Sequence, residues 1–282
     1  MNKSNMIRGL KIYIAAKLNG FFKRKKINGK YYYMKTSVSK AFWPFINNQV
    51  EIEETSLIKK RCASYKNFVD VGANLGIITL TFADSANDVN NIFSFEPNPY
   101  TFSKMVEFVG TNNKKGVNIN FVCAAVGEKL GFTDFFISDR DYLGVMSSQQ
   151  KTDPESKLVK VPVIKLDDFF ENIEHGIDFI KIDVEGAELF VLKGANAVIK
   201  KFRPDLLIEI HGPFLDSFGY TVDDIFNYLG TLGYQANHIV NDKKLSLESF
   251  MKDTGKLVKH PIHGFDMSKF GYGNVLFTFN EE

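Results

Sequence analysis

Several things are scarce in this chain of 282 residues, and each scarcity removes a class of protein. Cysteine occurs twice, at Cys62 and Cys123, far apart and with no histidine cluster nearby. That excludes a disulfide framework and a paired-cysteine metal site, and it suits a reducing, cytoplasmic compartment. Long apolar runs are missing: Ile12 to Ala16 falls well short of the ~20 residues that span a bilayer. Lys11 and Lys17 bracket that stretch and no small-residue cleavage site follows, so no secretory leader is expected. No internal repeat and no Pro- or Gly-rich linker divides the chain, and 44% hydrophobic with 14% aromatic content suffices for a packed core. Acid is absent from residues 1–50, which hold eleven Lys or Arg, leaving 24 basic against 33 acidic residues in 51–282. The expectation is a soluble protein with a basic N-terminal extension, 1–50, joined to one domain, 51–282.

In the extension, Met6, Ile7, Leu10, Ile14, Leu18 and Phe21 recur at helical spacing with Arg8, Lys11 and Lys17 between them, which predicts an amphipathic basic helix. Lys23-Arg-Lys-Lys26 follows. Two readings stand side by side. In one, residues 1–30 contact anionic lipid peripherally at the inner face of a membrane. In the other, the helix packs on the domain and turns its basic face to solvent.

From Val50 onward, strand-like and helical stretches alternate, the pattern of a doubly wound α/β sheet with right-handed crossovers. Strands are predicted over Asn67 to Val71, Ile92 to Glu96, Ile119 to Cys123, Phe179 to Asp183 and Leu206 to Ile210. Helices are predicted over Ile77 to Ala83, Tyr100 to Gly110, Ala187 to Lys200 with a break near Gly194, and Val222 to Leu229. Tyr234 to Val240 and Asn274 to Phe279 complete a mostly parallel sheet of seven strands that ends in a hairpin-like pair.

Two turns carry the chemistry. Phe68-Val-Asp-Val-Gly-Ala-Asn-Leu-Gly76 and Asp178-Phe-Ile-Lys-Ile-Asp-Val-Glu-Gly-Ala-Glu188 are short apolar runs that end in acidic and glycine residues, where an open parallel sheet binds ligands. Acids without Lys or Arg in the closing residues point to a cationic ligand, and S-adenosylmethionine, with its sulfonium and ammonium groups, suits them. The competing reading is a dinucleotide site, since Glu96 lies 24 residues beyond Gly72. Asp70 would repel a pyrophosphate but attract an ammonium, and Gly-Ala-Asn-Leu-Gly lacks the middle glycine that lets a backbone approach a pyrophosphate closely.

Taken together, Asp70-Val-Gly-Ala-Asn-Leu-Gly76, Glu96-Pro-Asn-Pro99, Ala125-Val-Gly127, Val163-Ile-Lys-Leu-Asp-Asp168, Lys181-Ile-Asp-Val-Glu-Gly-Ala-Glu188 and Leu192-Lys-Gly194 resemble an FkbM-type S-adenosylmethionine-dependent methyltransferase over roughly residues 65 to 212. The resemblance implies a Rossmann-like fold of the class I methyltransferase type, to which the apolar spacing adds an N-terminal helical extension. It implies that Asp70 and the backbone of Gly72, Ala73, Asn74 and Gly76 hold the cofactor's methionine portion, with Asn74 hydrogen-bonded to it. Glu96, followed by Pro97 and Asn98, would accept both ribose hydroxyls, a task for two carboxylate oxygens. Ala124 and Ala125 would lie at the adenine edge, and Asp183 and Glu185 would orient cofactor and acceptor. Glu188 reads equally as a site residue or as an acid at a helix start.

For methyl transfer to an alcohol the protein supplies alignment and a destination for the proton. Glu209 and His211 alternate along one strand and so share a face; His211 is the candidate base, as an imidazole titrating near neutrality, with Glu209 orienting it or binding substrate. A structural His capping the sheet is the alternative. Asp183 and Glu185 could also hold a divalent cation such as magnesium, but two acids are thin evidence and no metal is expected. His175, His238, His260 and His263 fall in no motif, and the Gly- and Ser-containing stretch from Asp139 to Thr152 reads as a lid or a passive connection. The expected activity is O-methylation of a hydroxyl on a sugar, glycan or similar polar metabolite. An NAD-type oxidoreductase and a non-catalytic cofactor-binding scaffold are the alternatives. Nucleic acid is not an expected partner, because the domain is acidic.

Overall fold

The computed structural model of the protein describes residues 22–27, 29–35, 52–85, 88–89, 91–137, 147–148, 157–257 and 272–280. The chain opens with strands β1 (Phe22–Ile27) and β2 (Lys30–Lys35), then α1 (Ile52–Arg61), β3 (Asn67–Val71), α2 (Ile77–Ser85), β4 (Asn91–Phe95), α3 (Pro99–Asn112) and β5 (Asn118–Val122). A second group of strands follows: β6 (Ala125–Val126), β7 (Gly131–Ile137), β8 (Ser147–Ser148) and β9 (Lys157–Ile164). The winding resumes with α4 (Leu166–Phe169), β10 (Phe179–Ile182), α5 (Glu188–Gly194), α6 (Asn196–Phe202), β11 (Asp205–His211), α7 (Gly212–Leu215), α8 (Val222–Thr231), β12 (Tyr234–His238), α9 (Leu247–Leu257) and β13 (Tyr272–Phe279).

Seven strands form the central sheet in the order β12-β13-β11-β10-β3-β4-β5. β11, β10, β3, β4 and β5 pair in parallel, while β13 inserts antiparallel between β11 and β12. The expected sheet and its terminal hairpin-like pair are therefore present, with each predicted strand within two residues of its place. β3 and β10 are buried along their whole length because helices cover both faces, which is why they read as unbroken apolar runs. The strand order reverses between β3 and β10, so a crevice opens at their carboxyl ends.

The break expected near Gly194 separates α5 from α6 and has a steric cause. A Cβ on Gly194 would stand 2.0 Å from the carbonyl oxygen of Gly127. The glycines of two distant motifs are thus two halves of one backbone contact, holding α5 against the strand after β5.

Two features depart from the sequence expectation. β6, β9, β7 and β8 make a separate four-stranded sheet, with Phe132 and Leu158 left exposed. Residues 22–35, in the extension, form an antiparallel hairpin pairing Ile27 with Lys30. The hairpin buries Ile27, Tyr32 and Met34 against Leu80 of α2 and Met105, Phe108 and Val109 of α3. Asn112 locks it there, accepting from Tyr33 N at 2.9 Å and donating to Tyr33 O at 2.7 Å. Part of the basic segment therefore belongs to the domain's core, and Lys23-Arg-Lys-Lys26 is strand. The amphipathic stretch Met6 to Phe21, the boundary at 50/51, His260, His263 and most of Asp139 to Thr152 lie outside the described residues.

Candidate active site

The crevice is built from five strand ends. After β3 the chain turns at Gly72, whose φ of +77° and contact with β10 admit no side chain: a Cβ would lie 1.8 Å from Asp183 O. Asn74 also adopts a left-handed φ, +50°, and its N–H donates to Glu96 Oε2 at 2.9 Å. Glu96 Oε1 accepts from Asn98 N at 2.9 Å, so the carboxylate after β4 is gripped from both sides. Asn98 itself is spent on the N-terminus of α3, its Oδ1 accepting from Tyr100 N and Thr101 N. Ala124 is buried and Ala125 half-buried at the neighbouring strand end.

Asp70 is wholly buried, with Oδ2 accepting from Thr79 Oγ1 at 2.6 Å. Its other neighbour is Lys181 Nζ, 3.9 Å from Oδ1, which also donates to Asp183 Oδ2 at 3.0 Å and to Gly72 O at 3.2 Å. Asp70 therefore has an internal cation beside it, while its Oδ1 makes no hydrogen bond among the described residues. Burial raises the Asp70 pKa against the pull of Lys181, whereas at Asp183 burial is overcome by Lys181 and His211 and the pKa falls.

Beside this lies a cluster at the ends of β10 and β11. His211 Nδ1 is 3.2 Å from Glu188 Oε1, which also accepts from Gly186 N at 3.0 Å. Nε2 faces Glu209 Oε1 at 3.5 Å, Glu185 Oε2 at 3.9 Å and Asp183 Oδ1 at 4.0 Å. Two expectations change. Glu188, and not Glu209, orients the imidazole; Glu209 instead accepts from Tyr272 Oη at 2.7 Å. Burial disfavours charge on His211, but the hydrogen bond to Glu188 and the charges of Glu209 and Glu185 prevail, lifting its pKa well above 6.5. These contacts favour the protonated imidazole over the free base expected of His211. Burial lifts both Glu185 and Glu209 to about 7, the value suited to proton exchange near neutral pH.

Sequence reasoning brought together Asp70, Gly72, Asn74, Gly76, Glu96, Asp183, Glu185, Glu209 and His211 around one crevice, but it missed Lys181, Thr79 and Tyr272. Lys181 left a signal, since a lysine inside the buried strand Phe-Ile-Lys-Ile requires an acidic partner. Its partner follows from register, which the sequence does not display.

A doubly wound sheet with an acidic, glycine-turned crevice at its switch point defines the class, and the comparisons give the family. Residues 70–236 match the Methyltransferase FkbM domain model, so the chain belongs to the FkbM methyltransferase family. It is 30% identical over 145 residues to Methyltransferase 1 of Beauveria bassiana, covering 45% of this chain and 57% of that protein. It is 27% identical over 143 residues to the hexuronic acid methyltransferase AglP of Haloferax volcanii, covering 50% of this chain and 54% of that one. The chain thus spans little more than half the length of these curated relatives. A crystal structure of methyltransferase FkbM from Methylobacillus flagellatus aligns with TM-score 0.43 at 18% identity, covering 76% of this chain and 43% of the other.

The cofactor is S-adenosylmethionine, and the crevice fits it. Asn74 Oδ1 and Asp70 Oδ1 are buried acceptors without a hydrogen-bond partner among the described residues, beside the turn that would receive an ammonium donor. Glu96 retains lone pairs for ribose hydroxyls beyond its two backbone contacts. No helix among the described residues is long and apolar enough to cross a membrane.

Proposed function

We propose that the protein is an S-adenosylmethionine-dependent O-methyltransferase whose acceptor is a hydroxyl of a sugar, glycan or similar polar metabolite. The observation that carries this reading is the convergence of Asp183, Glu185 and Glu209 on His211 Nε2, with the Asp183 backbone lying against Gly72 of the cofactor turn. A proton-exchanging cluster thereby adjoins the place where a methyl group would be presented. The hydroxyl oxygen attacks the methyl carbon, the carbon–sulfur bond breaks to leave S-adenosylhomocysteine, and the hydroxyl proton passes to a cluster carboxylate. Glu96 takes the ribose, the Gly72–Gly76 turn and Asn74 the methionine portion, and the Ala124–Ala125 turn the adenine edge. The hexuronic acid named for the Haloferax relative favours a sugar acceptor. Family membership sets the oxidoreductase alternative aside.

The test supplies labelled cofactor with a panel of uronic acids, oligosaccharides and nucleotide sugars, and locates the new methyl by NMR. Transfer to a hydroxyl oxygen, lost in Glu209→Gln while S-adenosylhomocysteine binding stays within about threefold, is the expected result. Methylation at nitrogen or carbon, or cofactor binding without transfer to any acceptor, would overturn it.

A further inference from the structure

The cluster around His211 has a geometry that proton exchange does not explain. We propose that Asp183, Glu209 and His211 hold a divalent cation of the magnesium or manganese kind. That the cation would serve an acceptor rests on the methyltransferase reading above; that it binds does not. One ligand atom from each of the three residues lies within 4.8 Å of the other two. Direct hydrogen bonds would draw such atoms to about 3 Å, yet Nε2 stands 3.5 Å from Glu209 Oε1 and 4.0 Å from Asp183 Oδ1. Groups each about 2.0–2.2 Å from a common ion are spaced at roughly 3–4.4 Å, a range that includes both His211 distances.

His211 supplies an independent indication. Its side chain is 6% exposed and its Nε2 points into the gap, but that nitrogen takes part in no hydrogen bond among the described residues. Nδ1 faces the Glu188 carboxylate, the arrangement that fixes a metal-binding histidine with its other nitrogen outward. Lys181 occupies Asp183 Oδ2 and leaves Oδ1 facing the gap, and Tyr272 steadies Glu209. Two carboxylates with one imidazole suit a hard or borderline ion.

Three protein ligands on a six-coordinate ion leave positions for two acceptor oxygens. The favoured acceptor class is therefore one with two adjacent oxygens, a vicinal diol or a hydroxyl beside a carboxylate. Bound so, the reacting hydroxyl would lose its proton more readily. In the sequence Asp183 and Glu185 are thin evidence for a cation, because Glu209 and His211 come from another strand.

The experiment is a Mn²⁺ titration of the full chain after EDTA stripping, without cofactor, read by electron paramagnetic resonance, with Mg²⁺ competition. One saturable site per chain is expected, weakened at least tenfold in Asp183→Asn and Glu209→Gln and unchanged in the exposed-surface variant Glu248→Gln. Because loss of a ligand can also unfold the chain, wild-type protein gives a second reading: substoichiometric Mn²⁺ should broaden the His211 imidazole resonances most and those of His175, beside Asn91 at the far end of the sheet, least. Absence of a saturable site, or broadening that spares His211, would overturn the proposal. A cation-free protein that still transfers methyl at full rate would overturn the acceptor role while leaving the methyltransferase reading intact. Failure of S-adenosylhomocysteine to bind would overturn that reading whatever Mn²⁺ does.

Discussion

Lys181 stands opposite Asp70 in the β10–β3 register, and its ammonium reaches past that partner to Asp183 Oδ2 at 3.0 Å. One buried lysine thereby ties the strand beneath the cofactor turn to the acid at the end of the next strand. Its third contact, Gly72 O, fixes the turn itself. Lys181→Met would leave Asp70 fully buried with no cation. Loss of one member of a buried ion pair costs about 3–5 kcal/mol, so chemical denaturation should show a fall of that order. Lys181→Met combined with Asp70→Asn should recover part of it; additive effects of the two substitutions would show that the pair is not coupled.

Glu96 gives a pH signature. Burial holds its folded pKa at about 7, above the ordinary 4.5. Between those values the folded chain keeps a proton that the unfolded chain releases, so this residue's effect on stability becomes less favourable as pH rises from about 4.5 to about 7. Ribose hydroxyls donate to the ionised carboxylate, so cofactor binding favours that form. S-adenosylhomocysteine should bind about tenfold tighter at pH 8 than at pH 6, with proton release at the lower pH. Calorimetry in buffers of different ionisation enthalpy measures both, and Glu96→Gln should flatten the profile. A slope that survives in Glu96→Gln belongs to another group.

How much of this was open to the sequence depends on whether a feature is local. β3 and β10 announced themselves because strands buried on both faces must be apolar, and their glycine and acid endings marked the crevice. Gly194 was read as a break, but its cause, Gly127 across a backbone contact, needed the fold. β9 was hidden because Pro162 interrupts an otherwise alternating Leu158 to Ile164 and proline is a poor strand residue. The hairpin was masked by its own charge run. Asn28-Gly29 between Ile27 and Lys30 is a strong two-residue turn signal, and Gly29 has φ +80°. Glu188 could not be resolved at all: its sequence position fits a helix start, and only the approach of β11 puts His211 against it.

Glu188 therefore permits a test of orientation apart from charge. Gln at this position can keep an acceptor for His211 and Gly186, whereas Ala removes both contacts. Partners behind a reacting or ligating histidine typically contribute 10- to 100-fold. Glu188→Ala should lower kcat by about that range and Glu188→Gln by less, with the cofactor dissociation constant nearly unchanged. Equal losses in the two variants would mean that the negative charge, and not the alignment, is what His211 requires.

The hairpin makes the last prediction, because it decides whether the basic segment is an appendage or part of the domain. Met34 is 1% exposed and Tyr32 5%, and the Tyr32 ring lies 5.5 Å from that of Phe108 on α3. Meanwhile Arg24 and Lys26 stay in solvent on the other face, Arg24 stacked 3.7 Å over the Tyr31 ring. If burial is what holds the hairpin, truncating its inner face should destabilise the whole domain: Met34→Ala by about 2–5 kcal/mol, as for other buried large-to-small changes. Arg24→Gln, on the outer face, should change stability by less than about 0.5 kcal/mol. Hydrogen exchange extends the argument, since an integral hairpin protects Tyr33 N, bonded to Asn112, to the same degree as amides of α3. Fast exchange at Tyr33 beside slow exchange in α3, or a Met34→Ala domain with unaltered unfolding, would make the hairpin a separable arm.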